Sequence, residues 1–213
     1  MKIALIGATG FVGSAVLQEL LARQHQVSAI VSRPERLPAH PQLTAVKADA
    51  YDADAIAQAV AGHDMVISTF NPGWDKADIR ALFLKGHAAI VAGVKQAGVK
   101  RFLEVGGAGS LYVAPGVQLI DTPHFPAEYK EGAEGARQAL ADLQQETVLD
   151  WVFLSPPALL APGERSGQYR LGGDALLMDG EAPAGISVAD LAVAIADEVE
   201  TPRHSRQRFT VAH

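Results

Sequence analysis

Apolar positions along this chain switch repeatedly between two spacings. Lys2–Ile6 is a short apolar run closed by Gly7, which reads as a buried strand. Over residues 11–24 the spacing lengthens, and Val12, Val16, Leu17, Leu20 and Leu21 share one face of a helix. Gln26–Val31 and Leu43–Lys47 read as strands again, separated by a loop punctuated by Pro34, Pro38 and Pro41. A short helix is expected over 54–60 and a strand over 64–69, closed by Asn71, Pro72 and Gly73. A long helix over 76–96 turns Leu82, Phe83, Ile90, Val91 and Val94 inward and stops at Gly98. Arg101–Val105 is the next strand. Residues 106–116 are glycine-rich, and a proline-punctuated loop follows to Pro126. A helix over 127–145 and a strand over 150–154 continue the rhythm. After Pro156 and Pro157 it changes: 167–171 and 175–178 suggest a small hairpin around Gly172 and Gly173. Residues 187–199 form the cleanest amphipathic helix, with Ser187 and Asp190 as a variant capping box, and 207–211 make a last strand.

Strands alternating with helices predict an α/β domain with a mostly parallel, doubly wound sheet. The whole chain, 1–213, reads as one such domain, in which 156–213 supplies a small substrate-side cap and a last sheet strand. Composition narrows the chemistry. There are no cysteines, which removes disulfides, thiolate metal sites and cysteine nucleophiles. The seven histidines are scattered without ligand spacing, so no metal site is expected. The formal charge of −6 disfavours a nucleic-acid partner, and no apolar run reaches membrane-spanning length. The apolar run at the start is too short for an export signal, so the expected compartment is the cytoplasm, with the chain a monomer or homodimer. The basic cluster Arg203, His204, Arg206 and Arg208 reads as a solvated strand edge.

The most informative motif is Gly7-Ala8-Thr9-Gly10-Phe11-Val12-Gly13, placed after the first strand and at the opening of the first helix. That context marks a dinucleotide fingerprint, and with it a Rossmann-like fold. Gly7 permits the tight turn, Gly10 lets the backbone approach a pyrophosphate, and Gly13 lets helix and strand pack closely. Helix N–H groups then face the phosphates. The end of the second strand carries Val31-Ser32-Arg33 in place of the acidic residue that would bond a ribose 2′-hydroxyl. Ser32 and Arg33 can instead hold a 2′-phosphate, so NADP(H) is expected over NAD(H). Asp49 could bond the adenine amino group or cap the next helix. No Gly-Lys-Ser/Thr follows the glycines, which excludes a P-loop.

Further segments carry a family resemblance: 67–74 (Ile-Ser-Thr-Phe-Asn-Pro-Gly-Trp), 102–111 (Phe-Leu-Glu-Val-Gly-Gly-Ala-Gly-Ser-Leu), 150–156, 186–192 and 208–211. With the glycine turn they resemble atypical short-chain dehydrogenase/reductases of the NmrA-like type, including bacterial NADH-flavin reductase and NAD-dependent epimerase/dehydratase-like proteins. The resemblance implies that Thr9, Gly10, Phe11 and Val12 line the pyrophosphate. It implies that Ser32 and Arg33 sit at the adenosine ribose, and that Thr69 and Phe70 flank the nicotinamide ribose. Gly106 and Gly107 would end the fifth strand under the cofactor, with Ser155 and Pro156 bordering the nicotinamide.

The larger family's acid–base pair is missing. The residues four after Tyr51, Tyr112, Tyr129 and Tyr169 are Ala55, Gly116, Ala133 and Gly173, so no Tyr-x-x-x-Lys exists. Ketone chemistry needs such a proton partner; hydride transfer to a flavin needs less, because the isoalloxazine accommodates charge and takes a proton from water. The expected reaction is therefore reduction of a flavin, as substrate rather than bound cofactor, or of a similarly flat small molecule. Trp74, Tyr112 and Phe125 are the expected substrate-side aromatics. Tyr129, Tyr112, Ser110 and His124 are the candidates should a relocated acid–base residue make the protein an epimerase or ketoreductase. A non-catalytic NADP(H) sensor is the third possibility.

Overall fold

The computed structural model describes all 213 residues. Its centre is an eight-stranded sheet made of β1 (Lys2–Ile6), β2 (Gln26–Val31), β3 (Leu43–Lys47), β4 (Met65–Ser68), β5 (Arg101–Val105), β6 (Asp150–Ser155), β7 (Arg170–Gly172) and β8 (Gln207–Ala212). The spatial order is β7-β8-β6-β5-β4-β1-β2-β3. Every neighbouring pair is parallel except β7 with β8. The chain runs outward from β1 to β3, then returns to β4 on the other side of β1. The strand order thus reverses between β1 and β4, and a crevice opens at the carboxyl ends of these two strands.

Five helices cover both faces: α1 (Phe11–Ala22), α2 (Ala53–Val60), α3 (Ile79–Gln96), α4 (Ala127–Gln144) and α5 (Val188–Glu200). Strand alternation divides the core. Ile3, Leu5, Ile67, Leu103, Val152 and Leu154 pack against α1 and α5. Ala4, Ile6, Val66, Phe102, Trp151 and Phe153 pack against α2, α3 and α4. Two buried faces explain why these strands are apolar almost without interruption. Half of the expected capping box forms: the Ser187 hydroxyl accepts the Asp190 N–H at 3.0 Å, while the Asp190 carboxylate accepts from Ser166 and Gly167 in place of Ser187.

The C-terminal third departs from the sequence expectation. Residues 167–171 and 175–178 do not pair with each other. Residues 170–172 instead join the central sheet, antiparallel to 210–212, and Ala175 bridges to Tyr112. The tight hairpin forms later, between Met178–Asp179 and Ala182–Pro183, where Gly180 takes φ +60°. A free sheet edge offered a row of backbone partners, and this long-range pairing overrode the local turn signal at Gly172 and Gly173. Two further short pairings also rest on distant or unexpected partners. Leu159–Ala161 runs parallel to Gly185–Ser187. Tyr112–Ala114 and Val117–Gln118 form a hairpin within the stretch expected to be loop. With β7, β8 and α5 built into the main layers, much of 156–213 is integral to the sheet. α3 begins at Ile79, three residues later than its apolar spacing suggests, because Lys76 and Ile79 close two successive turns onto Gly73 and Lys76.

Candidate functional site

The glycine turn lies at the β1–β4 crevice. Gly7 has φ +84°, and a Cβ there would stand 2.9 Å from the Thr69 carbonyl oxygen. A Cβ on Gly13 would come within 2.1 Å of the Gly7 carbonyl oxygen. Both glycines are therefore demanded by the fold. Gly10 is different. Its φ is −79°, open to any residue, and a Cβ would meet only the Gly7 oxygen at 3.4 Å, an ordinary contact. Nothing within the chain requires a glycine there. Gly10 also caps α1 without any side-chain hydrogen bond, so the first turn keeps free N–H groups facing out. Thr9 and Phe11 flank it in exposed positions, Val12 is half-buried, and Phe11 is 51% exposed. An uncapped helix end, with side-chain volume withheld at its cap, fits a pyrophosphate.

At the end of β2, Ser32 and Arg33 are exposed and their side chains have no partner in the chain. Asp49 closes a local turn: its carboxylate accepts the Tyr51 N–H at 2.9 Å, while Asp52 caps α2 by accepting from Ala55 at 3.0 Å. The cap of the next helix considered for Asp49 thus falls to Asp52, while Asp49 is exposed and retains a second carboxylate oxygen.

At the other end of the crevice, the Thr69 hydroxyl and N–H both donate to the Ile6 carbonyl at 3.0 Å, tying β4 to β1. Phe70 corrects an expectation. Its ring does not stand free beside a ribose but turns into the α2–α3 layer, edge-on to Tyr51 at 5.6 Å, near Phe83 at 6.3 Å and pressed on Gly86. Gly106 has a structural origin, since a Cβ would overlap the Phe153 ring at 1.9 Å. Gly107 is unconstrained beyond a 3.4 Å contact with Ala136. Ser155 and Pro156 are buried at the end of β6, and the Ser155 hydroxyl has no partner, nor does that of Thr210 in the adjacent register position.

The acid–base candidates separate on inspection. Ser110 is buried and its hydroxyl and carbonyl both accept from Arg208 Nη1, at 2.9 and 3.0 Å. Buried there against the C-terminal half of α4 and away from the crevice, it is a structural anchor, which corrects its candidacy as a proton donor. Tyr112 is exposed, and its backbone is fixed by Asp174 and Leu176. His124 is exposed without a side-chain partner, and Phe125 is half-buried beside it. Tyr129 is exposed at the start of α4 and meets Trp74 edge-on at 5.3 Å. No lysine bonds any tyrosine hydroxyl. Tyr51 is pushed upward from its ordinary pKa by burial and then by Asp49 and Asp78. Burial and the hydrogen bond to Asp197 push Tyr169 the same way. An acid–base tyrosine requires the opposite shift.

The structure also singles out residues that sequence reading misjudged or passed over. Arg208 is not a solvated strand-edge cation: it is buried, and besides Ser110 it holds the Asp174 carboxylate at 2.8 Å. The signal was its place inside a strand buried on both faces, next to Phe209. Arg206 likewise donates to the Thr147 and Leu149 carbonyls. Gly132 seats the Trp74 indole, and His87 pairs with Glu104 in the interior. Neither contact had a sequence signal, because each partner lies on a different element.

Comparison with known proteins agrees with this geometry. The family model described as NAD(P)H-binding matches residues 7–202. YwnB, an uncharacterized protein of Bacillus subtilis, is 37% identical, with 99% of this chain and 98% of that protein covered. A candidate epimerase from Bacteroides thetaiotaomicron has a solved structure with TM-score 0.92 and 43% identity, covering 100% of this chain and 96% of that one. A candidate NADH-flavin reductase from Streptococcus pneumoniae gives TM-score 0.84 and 33% identity over 100% and 99%.

Proposed function

The chain belongs to the NAD(P)H-binding family, and from that premise we propose that it is an NADP(H)-dependent reductase of a flavin or similarly flat acceptor. The observation that carries this reading is Gly10, a glycine the fold does not need, at an uncapped helix end in the β1–β4 crevice. Thr9, Gly10, Phe11 and Val12 cradle the pyrophosphate there. Ser32 and Arg33 take the 2′-phosphate, and Asp49 the adenine. Thr69 keeps the carboxyl ends of β1 and β4 together, while Gly107, Ser155 and Pro156 border the nicotinamide. Bound in this way, a reduced nicotinamide supplies hydride. Trp74 and Phe125 stand on the substrate side; Tyr112, expected there too, instead lies beside Leu140 and Gln144 at the other end of α4 from Trp74.

The flat acceptor is supported by the state of the hydroxyls. Ser110 is held by Arg208, and no tyrosine has an activating lysine. An isoalloxazine that receives hydride takes its balancing proton from water, so this chain's task reduces to positioning.

Steady-state NADPH oxidation with FMN or riboflavin tests the reading. The wild type should turn over. Gly10→Val should lose NADPH binding with an unchanged fold. Tyr112→Phe and Tyr129→Phe should each keep activity within about tenfold, since losing a general acid–base costs roughly 10²–10⁴-fold. A collapse in rate in either tyrosine variant would favour ketoreductase or epimerase chemistry. NADPH binding without turnover of any acceptor would favour a sensor.

A further inference from the structure

The chain has two tryptophans. Trp151 is 3% exposed in β6, whereas Trp74 is 57% exposed on the segment joining β4 to α3. Exposure of so large an apolar ring needs an account, because here it is held in place rather than left loose. A local turn shapes the segment: the Asn71 carboxamide oxygen accepts the Gly73 N–H at 2.8 Å, and Gly73 takes φ +114°. The indole then reaches across to α4. A Cβ on Gly132 would come within 2.5 Å of Trp74 Cζ3 and 3.0 Å of Cη2, with Ile79 at 3.2 Å. One turn earlier on α4, the Tyr129 ring, 48% exposed, meets the indole at 85°.

Gly132 is the informative residue. It lies inside an 18-residue helix and its φ is not positive, so its backbone conformation suits any residue. Glycine there weakens the helix relative to alanine. The contacts that exclude a side chain are those of Trp74 and Ile79. The chain thus accepts a weaker α4 to seat an indole that stays largely in solvent. Core packing gains little from a ring left this exposed, whereas a ligand would gain a fixed aromatic platform. Both segments are at the carboxyl edge of the sheet: Trp74 follows β4, one of the two strands of the crevice, and Tyr129 is in the first turn of α4.

We infer that Trp74, seated on Gly132 and braced edge-on by Tyr129, is a specificity-determining residue that selects planar aromatic acceptors by stacking. The inference rests on the reductase reading for the acceptor's place but not for its binding. An indole that is held on α4 yet more than half exposed keeps ring surface for offset stacking, which only a flat ring can match. Its position is set before the acceptor arrives, so little ordering is required on binding.

The test measures riboflavin binding by equilibrium dialysis, riboflavin KM and kcat with NADPH, and NADPH affinity by calorimetry. The wild type is compared with Trp74→Ala, Trp74→Phe and Gly132→Ala. Trp74→Ala should weaken riboflavin binding and raise its KM about tenfold, with kcat and NADPH affinity within about twofold. Gly132→Ala should do the same by displacing the indole, while its thermal midpoint holds or rises because alanine favours the helix. Trp74→Phe should recover part of the loss. Unchanged riboflavin binding in Trp74→Ala and Gly132→Ala would overturn the inference, as would failure of the wild type to bind riboflavin at about millimolar concentration. A parallel fall in NADPH affinity would also overturn it, placing Trp74 at the cofactor. Riboflavin that binds the wild type, loses affinity in both variants and is never reduced would uphold the platform and sink the reductase reading.

Discussion

Arg33 stands at the end of β2 with no partner of its own, beside the equally free Ser32. A guanidinium so placed can meet a 2′-phosphate through two parallel charge-assisted hydrogen bonds. Arg33→Ala should therefore erase most of the preference for NADPH over NADH. The expected loss is about 1.5–3 kcal/mol of NADPH binding, the range for hydrogen bonds to charged groups, with NADH affinity little changed. Calorimetry on the wild type and variant decides it, and equal affinities of the wild type for the two nucleotides would refute the assignment. The neighbouring glycines show how unlike one another residues of a single motif can be. Gly7 and Gly13 answer to steric demands inside the fold, and their replacement would distort the turn. Gly10 answers to none.

Elements meet beside the last turns of α4 through Arg208 of β8. Its guanidinium reaches the Ser110 carbonyl and hydroxyl after β5 and the Asp174 carboxylate after β7. Asp174 and Leu176 in turn hold the backbone of Tyr112. One buried side chain thus clasps three segments against the C-terminal half of α4. Arg208→Met keeps the apolar stem and removes the clasp. Breaking a fully buried ion pair costs about 3–5 kcal/mol because a charge is stranded. Here the Asp174 side chain is 69% exposed, so its carboxylate returns to water. The loss should fall near 1.5–3 kcal/mol, from the charged hydrogen bonds to Ser110. Urea denaturation measures it; a loss below about 0.5 kcal/mol, within the range of ordinary surface substitutions, would show that the clasp is dispensable. A second set of contacts ties the stretch before β7 to the α1–α5 face. Arg165 pairs with the buried Glu19, Ser166 and Gly167 donate to Asp190, and the Tyr169 hydroxyl donates to Asp197. Burial pushes the Asp190 carboxyl up, but its bonds from Ser166, Gly167 and His213 together bring it down to about 2.

Across the whole molecule, the α3–α4 layer is joined to the sheet by a buried charge. His87 of α3 places Nδ1 3.0 and 2.9 Å from the two carboxylate oxygens of Glu104 on β5, and both residues are buried. Burial pulls the imidazole pKa down, but the charge and hydrogen bond of Glu104, with Asp142 of α4 adding to them, raise it above its ordinary value. A raised folded-state pKa contributes stability in full below the unfolded value and loses it as pH rises through the folded one. The urea midpoint of the wild type, taken relative to His87→Gln, should therefore fall as pH rises above the ordinary imidazole value of about 6.5. A pH-independent difference would mean that the pair is not charged at neutral pH. No helix of the fold is long and apolar enough to cross a membrane.

The amino-acid order alone determined the strand–helix rhythm, the parallel sheet and the glycine turn with Ser32 and Arg33. These are local: a period of two or 3.6 residues and a turn that only glycine permits act within a few neighbours, and each can be read where it stands. It also determined that no tyrosine carries an activating lysine at helical spacing. Only the tertiary structure decided the rest. Residues 170–172 chose the sheet edge over a nearby turn because a distant strand offered backbone partners. Arg208 left solvent because Ser110 and Asp174 met it in the interior. Phe70 turned away from the crevice because Gly86 made room for its ring, and Trp74 stayed at the rim because Gly132 gave it a seat. Each of these outcomes depends on two side chains far apart in the chain, whose meeting is set by packing and not by spacing.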